Sequence, residues 1–291
     1  MAPTVSIVVP ARNEEACLGA CLESLLAQKG ADFEVIVVDD SSSDRTRAIA
    51  ESYSGARVIS PGPLAEGCSG KCNAAQAGAD VAGGEWLLFT DADTVHLPGS
   101  LARALSEARE HRADLLSYSP QQEVHGMVER SLMTVIFAEL AVTYRAKDVS
   151  DPTSSAAAAN GQYLLISREA YNAVGGHAAV ARTLLEDVAL AQAVKRSGRR
   201  LRFRYGSDMV CTRMYRNLPA LWEGWTKNLA LLFPQTVQLA ARRGIEFLLA
   251  AAGIAAAAAG LARVPHPDRF WKGGPPGLIL LFAGLLVAVP T

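Results

Sequence analysis

The sequence Glu85-Trp86-Leu87-Leu88-Phe89-Thr90-Asp91-Ala92-Asp93 joins a short apolar run directly to two carboxylates. An uninterrupted apolar run of this length is typical of a strand that is buried on both faces of a sheet. Similar runs occupy residues 5–9 and 33–38, and helical patterns follow each of them. Residues 1–118 therefore predict an α/β domain whose mostly parallel sheet is covered by helices on both faces.

Polar residues follow three of these predicted strands at their carboxyl ends. In parallel sheets, ligands bind beyond that edge. The three clusters are Arg12-Asn13-Glu14, Asp39-Asp40 and Asp91-Ala92-Asp93. Because all three clusters fall at the same predicted edge, the sequence indicates one ligand site there, which no single cluster would establish.

The spacing of Asp91 and Asp93 suits a hard divalent cation with oxygen ligands. A cation held by few protein ligands keeps positions open for substrate phosphates and stabilises a departing diphosphate. The alternative is a pair of solvated turn aspartates that cap a helix. Two acidic strand ends would also suit a receiver-type or phosphatase metal site, so the aspartates alone leave the function open.

The overall composition excludes several classes of protein. The chain has 291 residues, of which 20% are charged, and a formal net charge of -1, so it is neither disordered nor generally attracted to nucleic acid. No basic region followed by an apolar segment opens the sequence, so we expect no cleavable signal peptide and a cytoplasmic catalytic part. An odd number of cysteines, five, fits a reduced compartment.

The apolar residues concentrate towards the C-terminus. Residues 218–243 read as an amphipathic interfacial segment, and residues 244–291 contain two apolar runs that predict a hydrophobic helical hairpin. Because the runs are bounded by Arg, Lys and Trp, we expect a membrane-associated, transmembrane hairpin that the end of the chain truncates. The alternative is a buried helical hairpin.

Three motifs in register resemble family 2 glycosyltransferases of the GT-A fold. They are Val8-Val9-Pro10-Ala11-Arg12-Asn13-Glu14-Glu15, Val37-Val38-Asp39-Asp40-Ser41-Ser42-Ser43-Asp44 and Phe89-Thr90-Asp91-Ala92-Asp93. The resemblance continues with Gly70-Lys71, Gly175-Gly176-His177, Leu185-Glu186-Asp187, Arg213-Met214-Tyr215 and Glu223-Gly224-Trp225-Thr226-Lys227. This later set is most similar to the bacterial carotenoid and lipid glycosyltransferase branch. It implies a GT-A catalytic domain at 1–217, with a nucleotide-sugar-binding half at 1–118 and an acceptor half at 119–217.

The resemblance also implies a role for individual residues. It places Pro10, Ala11, Arg12, Glu14, Asp39, Asp40, Lys71, Asp91, Ala92 and Arg213 at the donor nucleotide, and Asp93 with Asp91 at a divalent cation, Mg²⁺ or Mn²⁺. Asp187 is the implied catalytic base, with Glu186 as the alternative. Gln162, His177, Trp222 and Trp225 are expected on the acceptor or membrane side.

The implied activity is the inverting transfer of one sugar from a nucleotide-sugar donor, with UDP-glucose favoured, to a lipid or isoprenoid acceptor. The expected location is the cytoplasmic face of the inner or plasma membrane, with no nucleic-acid partner. Gly224 stands where processive relatives carry the arginine of Q-x-x-R-W, which favours a single transfer. The alternatives are a polyprenyl-phosphate glycosyltransferase and a non-catalytic, membrane-tethered nucleotide-sugar-binding protein. A sugar-nucleotide pyrophosphorylase would need a glycine-rich loop after the first strand, which is absent.

Overall fold

The computed structural model describes residues 3–215, 217–233 and 235–262. In chain order its elements are β1 (Val5–Ala11), α1 (Leu18–Leu26), β2 (Phe33–Asp39), α2 (Thr46–Glu51), β3 (Ala56–Ile59), α3 (Gly70–Val81), β4 (Trp86–Phe89), β5 (Thr94–His96), α4 (Ser100–Glu110), β6 (Leu115–Ser119), β7 (Gln121–Gln122), α5 (Gly126–Thr143), α6 (Ala146–Ser150), β8 (Leu164–Ser167), α7 (Arg168–Ala173), α8 (Gly176–Val180), α9 (Glu186–Arg196), β9 (Leu201–Tyr205), β10 (Val210–Thr212), α10 (Leu218–Leu232) and α11 (Thr236–Ala262).

A seven-stranded sheet with the order β3-β2-β1-β4-β8-β6-β9 organises the catalytic part of the chain. Strands β3, β2, β1 and β4 run parallel, as do β6 and β9, whereas β8 runs antiparallel to both of its neighbours. A second sheet has the order β5-β10-β7 and follows the carboxyl end of β4 along the chain. The predicted α/β class with a mostly parallel sheet is confirmed.

Helices cover both faces of the large sheet because the strand residues alternate between two apolar clusters. Val5, Ile7 and Val9 of β1 pack in one cluster with buried residues of α1 and α4. Val8 packs in the other cluster with buried residues of α3 and α9. The two-sided burial leaves the carboxyl ends of the strands as the edge at which polar side chains collect.

Gly78 marks the closest approach of α3 to the sheet. A Cβ atom there would overlap Val8 Cγ1 and lie 3.0 Å from Val38 Cγ2. Alanine is favoured over glycine inside a helix by about 1 kcal/mol, while overpacking a core costs about 1–3 kcal/mol. We expect Gly78→Ala to lower the free energy of unfolding by about 1–2 kcal/mol in urea denaturation.

Gly62→Ala is the matched control for this prediction, because a Cβ at Gly62 would meet nothing within 4 Å. Its unfolding midpoint should stay near that of the unsubstituted protein. A Gly78→Ala protein as stable as this control would contradict the close packing of α3 on β1.

Three parts of the fold differ from what the sequence predicts. The helical pattern after the first strand predicts a helix from about Glu14 to Gln28, whereas α1 begins at Leu18, because the residues before it form a turn that bonds to the loop after β2. The pattern at 127–150 predicts one helix, and the structure has two, α5 and α6. The small residues at 154–160 predict a low-complexity linker, whereas this segment contributes three buried alanines to the core, Ala157, Ala158 and Ala159.

The chain divides into two units, Met1–Leu221 and Trp222–Thr291, so the boundary falls inside α10 rather than at residue 217. In the second unit, α11 carries exposed apolar side chains, among them Phe247, Leu248 and Ile254. Within the described residues, no helix combines the length and apolar character needed to cross a membrane. Most of the predicted hairpin at 244–291, including its second apolar run, lies outside the described residues.

Candidate functional site

The loops after β1 and β2 bond to each other at the carboxyl edge of the sheet. The backbone N–H of Asn13 donates to Ser42 Oγ at 3.0 Å, and Ser43 N donates back to Asn13 Oδ1 at 2.9 Å. Glu14 N donates to Thr46 Oγ1 at 2.7 Å. Asn13 has a φ of 58°, a left-handed conformation that asparagine tolerates better than most residues. These hydrogen bonds between the two loops fix the first two polar clusters against each other.

Asp39 and Asp40 have different surroundings at this edge. Asp39 is buried, accepts from Ser42 N at 3.3 Å and lies 3.6 Å from Arg47 Nη1. Asp40 is partly open, and its Oδ2 lies 3.4 Å from Arg12 Nη1. A Cβ at Gly70, the first residue of α3, would come 2.6 Å from Asp40 Oδ2. Asp40 can therefore present an oxygen to a ligand, while Asp39 supports the loop.

Lys71 connects the donor-side and base-side carboxylates. Its Nζ lies 2.7 Å from Asp91 Oδ1 and 3.3 Å from Glu186 Oε1. Burial alone would lower the pKa of Lys71, but the charges of Asp91, Glu186 and Asp187 outweigh it and raise that pKa. The ammonium therefore stays charged and offers a cation between the ends of β4 and α9.

The Asp91–Asp93 turn combines a partly open and a more enclosed carboxylate. Burial, the charge of Asp91 and then that of Glu14 raise the pKa of Asp93 to about 7. Asp93 Oδ1 is buried and has no hydrogen-bond partner among the described residues. Ala92, between them, is buried and can contribute only its backbone to a ligand.

An orphaned carboxylate oxygen beside a second carboxylate fits a divalent cation. The described residues contain no group of three or more histidine, cysteine, aspartate or glutamate side chains arranged to hold a metal ion. Two carboxylates are nevertheless sufficient when substrate phosphates complete the ligand set, as is common for Mg²⁺. The donor set Asp91 and Asp93 therefore fits the predicted cation.

Asp187 is held by backbone N–H groups at the start of α9. Its Oδ2 accepts from Gly161 N at 2.9 Å, and its Oδ1 accepts from Val188 N at 2.8 Å. Burial and the neighbouring charge of Glu186 raise the pKa of Asp187 to about 6, against the opposing effect of Lys71. A carboxylate with such a pKa is ionised at neutral pH and basic enough to accept a proton.

A cleft brings the predicted residues of both kinds together. Pro10, Lys71, Asp91, His177, Glu186 and Asp187 all contribute to its wall. His177 is buried, and its Nδ1 lies 2.9 Å from the Tyr171 hydroxyl. Burial, followed by the charge of Lys71, lowers the pKa of His177 to about 3. The ring is therefore neutral, and it packs edge-on against Phe89. This environment suits a structural role better than proton transfer.

Ala11, Gln162 and Arg213 do not line this cleft, and two further predicted residues belong to the second unit. Ala11 is buried at the end of β1. Gln162 is buried, and its Nε2 donates to Thr212 Oγ1 at 3.2 Å. Arg213 directly follows β10, and its Nε is buried without a partner among the described residues. In the second unit, Trp222 is exposed and Trp225 is buried.

The sequence did not predict several residues that support the site through hydrogen bonds to its backbone. Lys195 Nζ on α9 donates to the carbonyl of Val149 at 2.8 Å and also bonds to that of Ala156. It thereby anchors the segment that leads to Gly161. Thr90, Thr94, His96 and Thr212 lie beneath the Asp91–Asp93 turn. The only sequence signal for these supporting residues is the threonine and histidine close to the aspartates. A strand as short as β5 has no periodicity from which it could be predicted.

The model of the family described as Glycosyl transferase family 2 matches residues 6–175. The 4,4'-diaponeurosporenoate glycosyltransferases of Staphylococcus aureus strains MRSA252 and USA300 are 32% and 31% identical to the chain over 235 residues. Each alignment covers 78% of this chain and 60% of the relative. The chain thus spans about 60% of the length of these curated relatives.

Two solved structures share the fold. The mannosyltransferase PcManGT from Pyrobaculum calidifontis, in complex with GDP-Man and Mn²⁺, has a TM-score of 0.61 at 20% identity and covers 100% of this chain and 82% of its own. S. aureus TarS has a TM-score of 0.54 at 19% identity, covering 77% of this chain and 38% of its own. At these identities the likeness establishes the fold, and the chemistry has to be argued from the site.

Proposed function

The chain belongs to glycosyltransferase family 2, and from that premise we propose that it transfers a single sugar from a nucleotide-sugar donor to a lipid or isoprenoid hydroxyl or carboxyl group. The observation that carries the proposal is the contact of Lys71 with both Asp91 and Glu186. It brings a cation, the candidate metal ligand Asp91 and the candidate bases Glu186 and Asp187 to the wall of one cleft.

The donor side is assigned to the interlocked loops and the Asp91–Asp93 turn. Asp40 accepts a hydrogen bond from the nucleotide base, and Glu14 and Asp91 lie on the ribose side. Lys71 and Arg213 offer positive charge to the diphosphate, and Arg213 has a buried N–H without a partner among the described residues. A divalent cation held by Asp91 and Asp93 supplies charge stabilisation for the leaving nucleoside diphosphate.

The base side is assigned to Asp187. With a hydroxyl acceptor, its carboxylate removes the proton from the O–H as the acceptor oxygen bonds to the anomeric carbon; an acceptor carboxylate has already lost its proton and attacks directly. The bond from that carbon to the diphosphate oxygen breaks, and its electron pair leaves with the nucleoside diphosphate. Displacement in one step inverts the anomeric configuration. The backbone N–H groups of Gly161 and Val188 fix the direction in which the Asp187 oxygens point.

An apolar acceptor is supported by two separate observations. The similar S. aureus proteins are named for 4,4'-diaponeurosporenoate, an apolar carboxylate. The helix α11 exposes large apolar side chains, which suit the interface of a lipid bilayer. We place the reaction at the cytoplasmic membrane face on these grounds, with the acceptor entering from the lipid phase. A polyprenyl phosphate is the alternative acceptor.

The test is a panel of labelled donors incubated with membranes and Mn²⁺, followed by lipid extraction. UDP-glucose, UDP-galactose, UDP-GlcNAc and GDP-mannose are compared, and UDP-glucose is expected to label the lipid fraction. Acid-labile label would identify a polyprenyl phosphate acceptor. If no donor transfers label to lipid while UDP still binds the protein, the chain is a nucleotide-sugar-binding protein without transfer activity.

The pH dependence of the rate tests Asp187. Because burial and Glu186 raise its pKa to about 6, the ionised form that accepts a proton is lost as the pH falls through that value. At saturating Mn²⁺, which keeps Asp93 ionised, we expect kcat/KM to fall about tenfold per pH unit below pH 6 and to level off above it. Samples held at pH 5 and returned to pH 7.5 should regain full rate, which controls for unfolding. An acid limb near pH 4 would mean that an ordinary, solvated carboxylate is the base.

A further inference from the structure

A buried hydrogen-bond network lies directly beneath the Asp91–Asp93 turn. Its side chains are Thr90, Thr94, His96, Gln162 and Thr212, each of which is at most 3% exposed. None of these residues except Gln162 was predicted as part of the site. Five buried polar side chains on adjoining parts of the two sheets are costly to desolvate, so their hydrogen bonds show what they hold in place.

Two threonine hydroxyls hold the backbone of the turn. Thr94 Oγ1 donates to the carbonyl oxygen of Asp91 at 2.8 Å, and Thr212 Oγ1 donates to that of Asp93 at 3.2 Å. Thr94 belongs to β5 and Thr212 to β10, two paired strands of the small sheet. With both carbonyl oxygens bonded to the small sheet, the backbone from which the two carboxylates project is held in place.

The inner hydroxyls of Thr90 and Thr94 have more neighbours than protons. A threonine hydroxyl has one proton. Thr90 Oγ1 lies 2.8 Å from the carbonyl oxygen of Gln162, Thr94 Oγ1 lies 2.8 Å from that of Asp91, and the two hydroxyl oxygens are 2.9 Å apart. His96 Nε2 lies 3.0 Å from Thr90 Oγ1 and 3.3 Å from Thr94 Oγ1, so a proton on Nε2 can supply the donor that this cluster needs. Burial lowers the pKa of His96 to about 3, so the ring is neutral.

Gln162 links the inner and outer parts of the network. Its carbonyl accepts from Thr90, and its side-chain Nε2 donates to Thr212 Oγ1 at 3.2 Å. Since the proton of Thr212 goes to Asp93, the free lone pair of that hydroxyl is the one that accepts from Gln162. The Thr212 hydroxyl therefore both accepts and donates, and the hydrogen bonds lead from Thr90 through Gln162 to the turn.

We propose that Thr94 and Thr212, supported by Thr90, His96 and Gln162, are positioning residues that orient Asp91 and Asp93 to bind a divalent cation. The inference rests on the proposed function, since it assumes that these two aspartates hold the cation. Outer-shell partners of metal ligands commonly account for a 10–100-fold share of metal affinity, roughly. The small sheet β5-β10-β7 thereby acquires a role, namely to carry the support for the turn.

The experiment compares threonine, serine and valine at positions 94 and 212. Valine matches threonine in shape but lacks the hydroxyl, and serine keeps the hydroxyl without the methyl group. The control is Thr134→Val on α5, because the Thr134 hydroxyl also donates to a backbone carbonyl, that of Arg130. Binding of Mn²⁺, alone and with UDP, is measured by calorimetry, and the unfolding midpoint and KM and kcat are measured in parallel.

We expect Thr94→Val and Thr212→Val to weaken Mn²⁺ binding about 10–100-fold, with a lower kcat. Thr94→Ser and Thr212→Ser should stay within about threefold of the unsubstituted protein, and Thr134→Val should bind Mn²⁺ unchanged. If Thr94→Val does not fold, Thr212→Val, at the outer end of the network, provides the same comparison.

Valine variants that bind Mn²⁺ as tightly as the unsubstituted protein would overturn the inference. Serine variants as weak as the valine variants would also overturn it, because the hydroxyl would then not be what matters. Failure of the proposed function looks different. In that case the unsubstituted protein itself binds neither Mn²⁺ nor UDP, and the inference falls together with the function.

Discussion

Asp187→Asn is expected to lower kcat by about 10²–10⁴-fold, the range that a positioned general base contributes. Asparagine has nearly the shape of aspartate but cannot take a proton from the acceptor. The binding of Mn²⁺ and UDP should stay within a few-fold, because Asp187 lies on α9, whereas the proposed donor contacts lie on α3 and on the loops after β1, β2, β4 and β10. Single-turnover transfer of labelled sugar measures the chemical step directly.

The matched control is Asp148→Asn, the same replacement at an exposed aspartate of α6. It should leave kcat unchanged. Asparagine loses one of the two backbone hydrogen bonds that Asp187 accepts, so the unfolding midpoint of Asp187→Asn is measured as well. A kcat within about fivefold of the unsubstituted enzyme would be too small a loss for a general base and would move that role to Glu186.

Asp93→Asn is expected to abolish the response to Mn²⁺ and to reduce transfer at least about 100-fold, since charge stabilisation by a metal is worth several kcal/mol and each 1.4 kcal/mol is tenfold in rate. Thermal unfolding provides a measurement that does not depend on activity. Mn²⁺ with UDP should raise the unfolding midpoint of the unsubstituted protein and leave that of the variant unchanged.

Without metal, the Asp93→Asn variant should be the more stable of the two proteins. The pKa of Asp93 is raised in the folded state, so its favourable effect on folding is present at low pH and is lost as the pH rises towards 7. Asparagine keeps the side chain uncharged at every pH. The metal-free variant should therefore be more stable than the metal-free unsubstituted protein at pH 8, by about 1–3 kcal/mol, with the difference shrinking as the pH falls below 7 and nearly gone at about pH 3.5, below the ordinary pKa of an aspartate. Equal stability at both values would contradict the enclosure of Asp93.

The large sheet and its ligand edge could be predicted because they depend on local patterns. Buried parallel strands require continuous apolar runs, and the polar residues that follow such a run mark the end of the strand. Asp39-Asp40 and Asp91-Ala92-Asp93 were therefore visible as a pair of strand ends. Their nearness to Glu186-Asp187 was implied only by the family resemblance, because nothing in the local sequence says that α9 returns to that edge.

The reversed strand and the supporting contacts could not be predicted because they depend on distant partners. Strand β8 is as apolar as the parallel strands of the sheet, and only its insertion between β4 and β6 fixes its direction. The helix expected from Glu14 was displaced by hydrogen bonds to Ser42, Asp44 and Thr46, about 30 residues away in the sequence. In both places, tertiary contacts override a correct local preference.

Lys195 joins α9 to the small-residue segment that ends at Gly161, and this affects the entropy of acceptor binding. The ammonium bonds to carbonyls on both sides of residues 150–155, and the same helix begins with the base that Gly161 orients. Ordering a segment of this length costs about 1–2 kcal/mol for each backbone residue. Because the segment is already ordered in the folded chain, this entropy is lost during folding and not when the acceptor binds. The acceptor therefore binds next to a base whose orientation is already fixed.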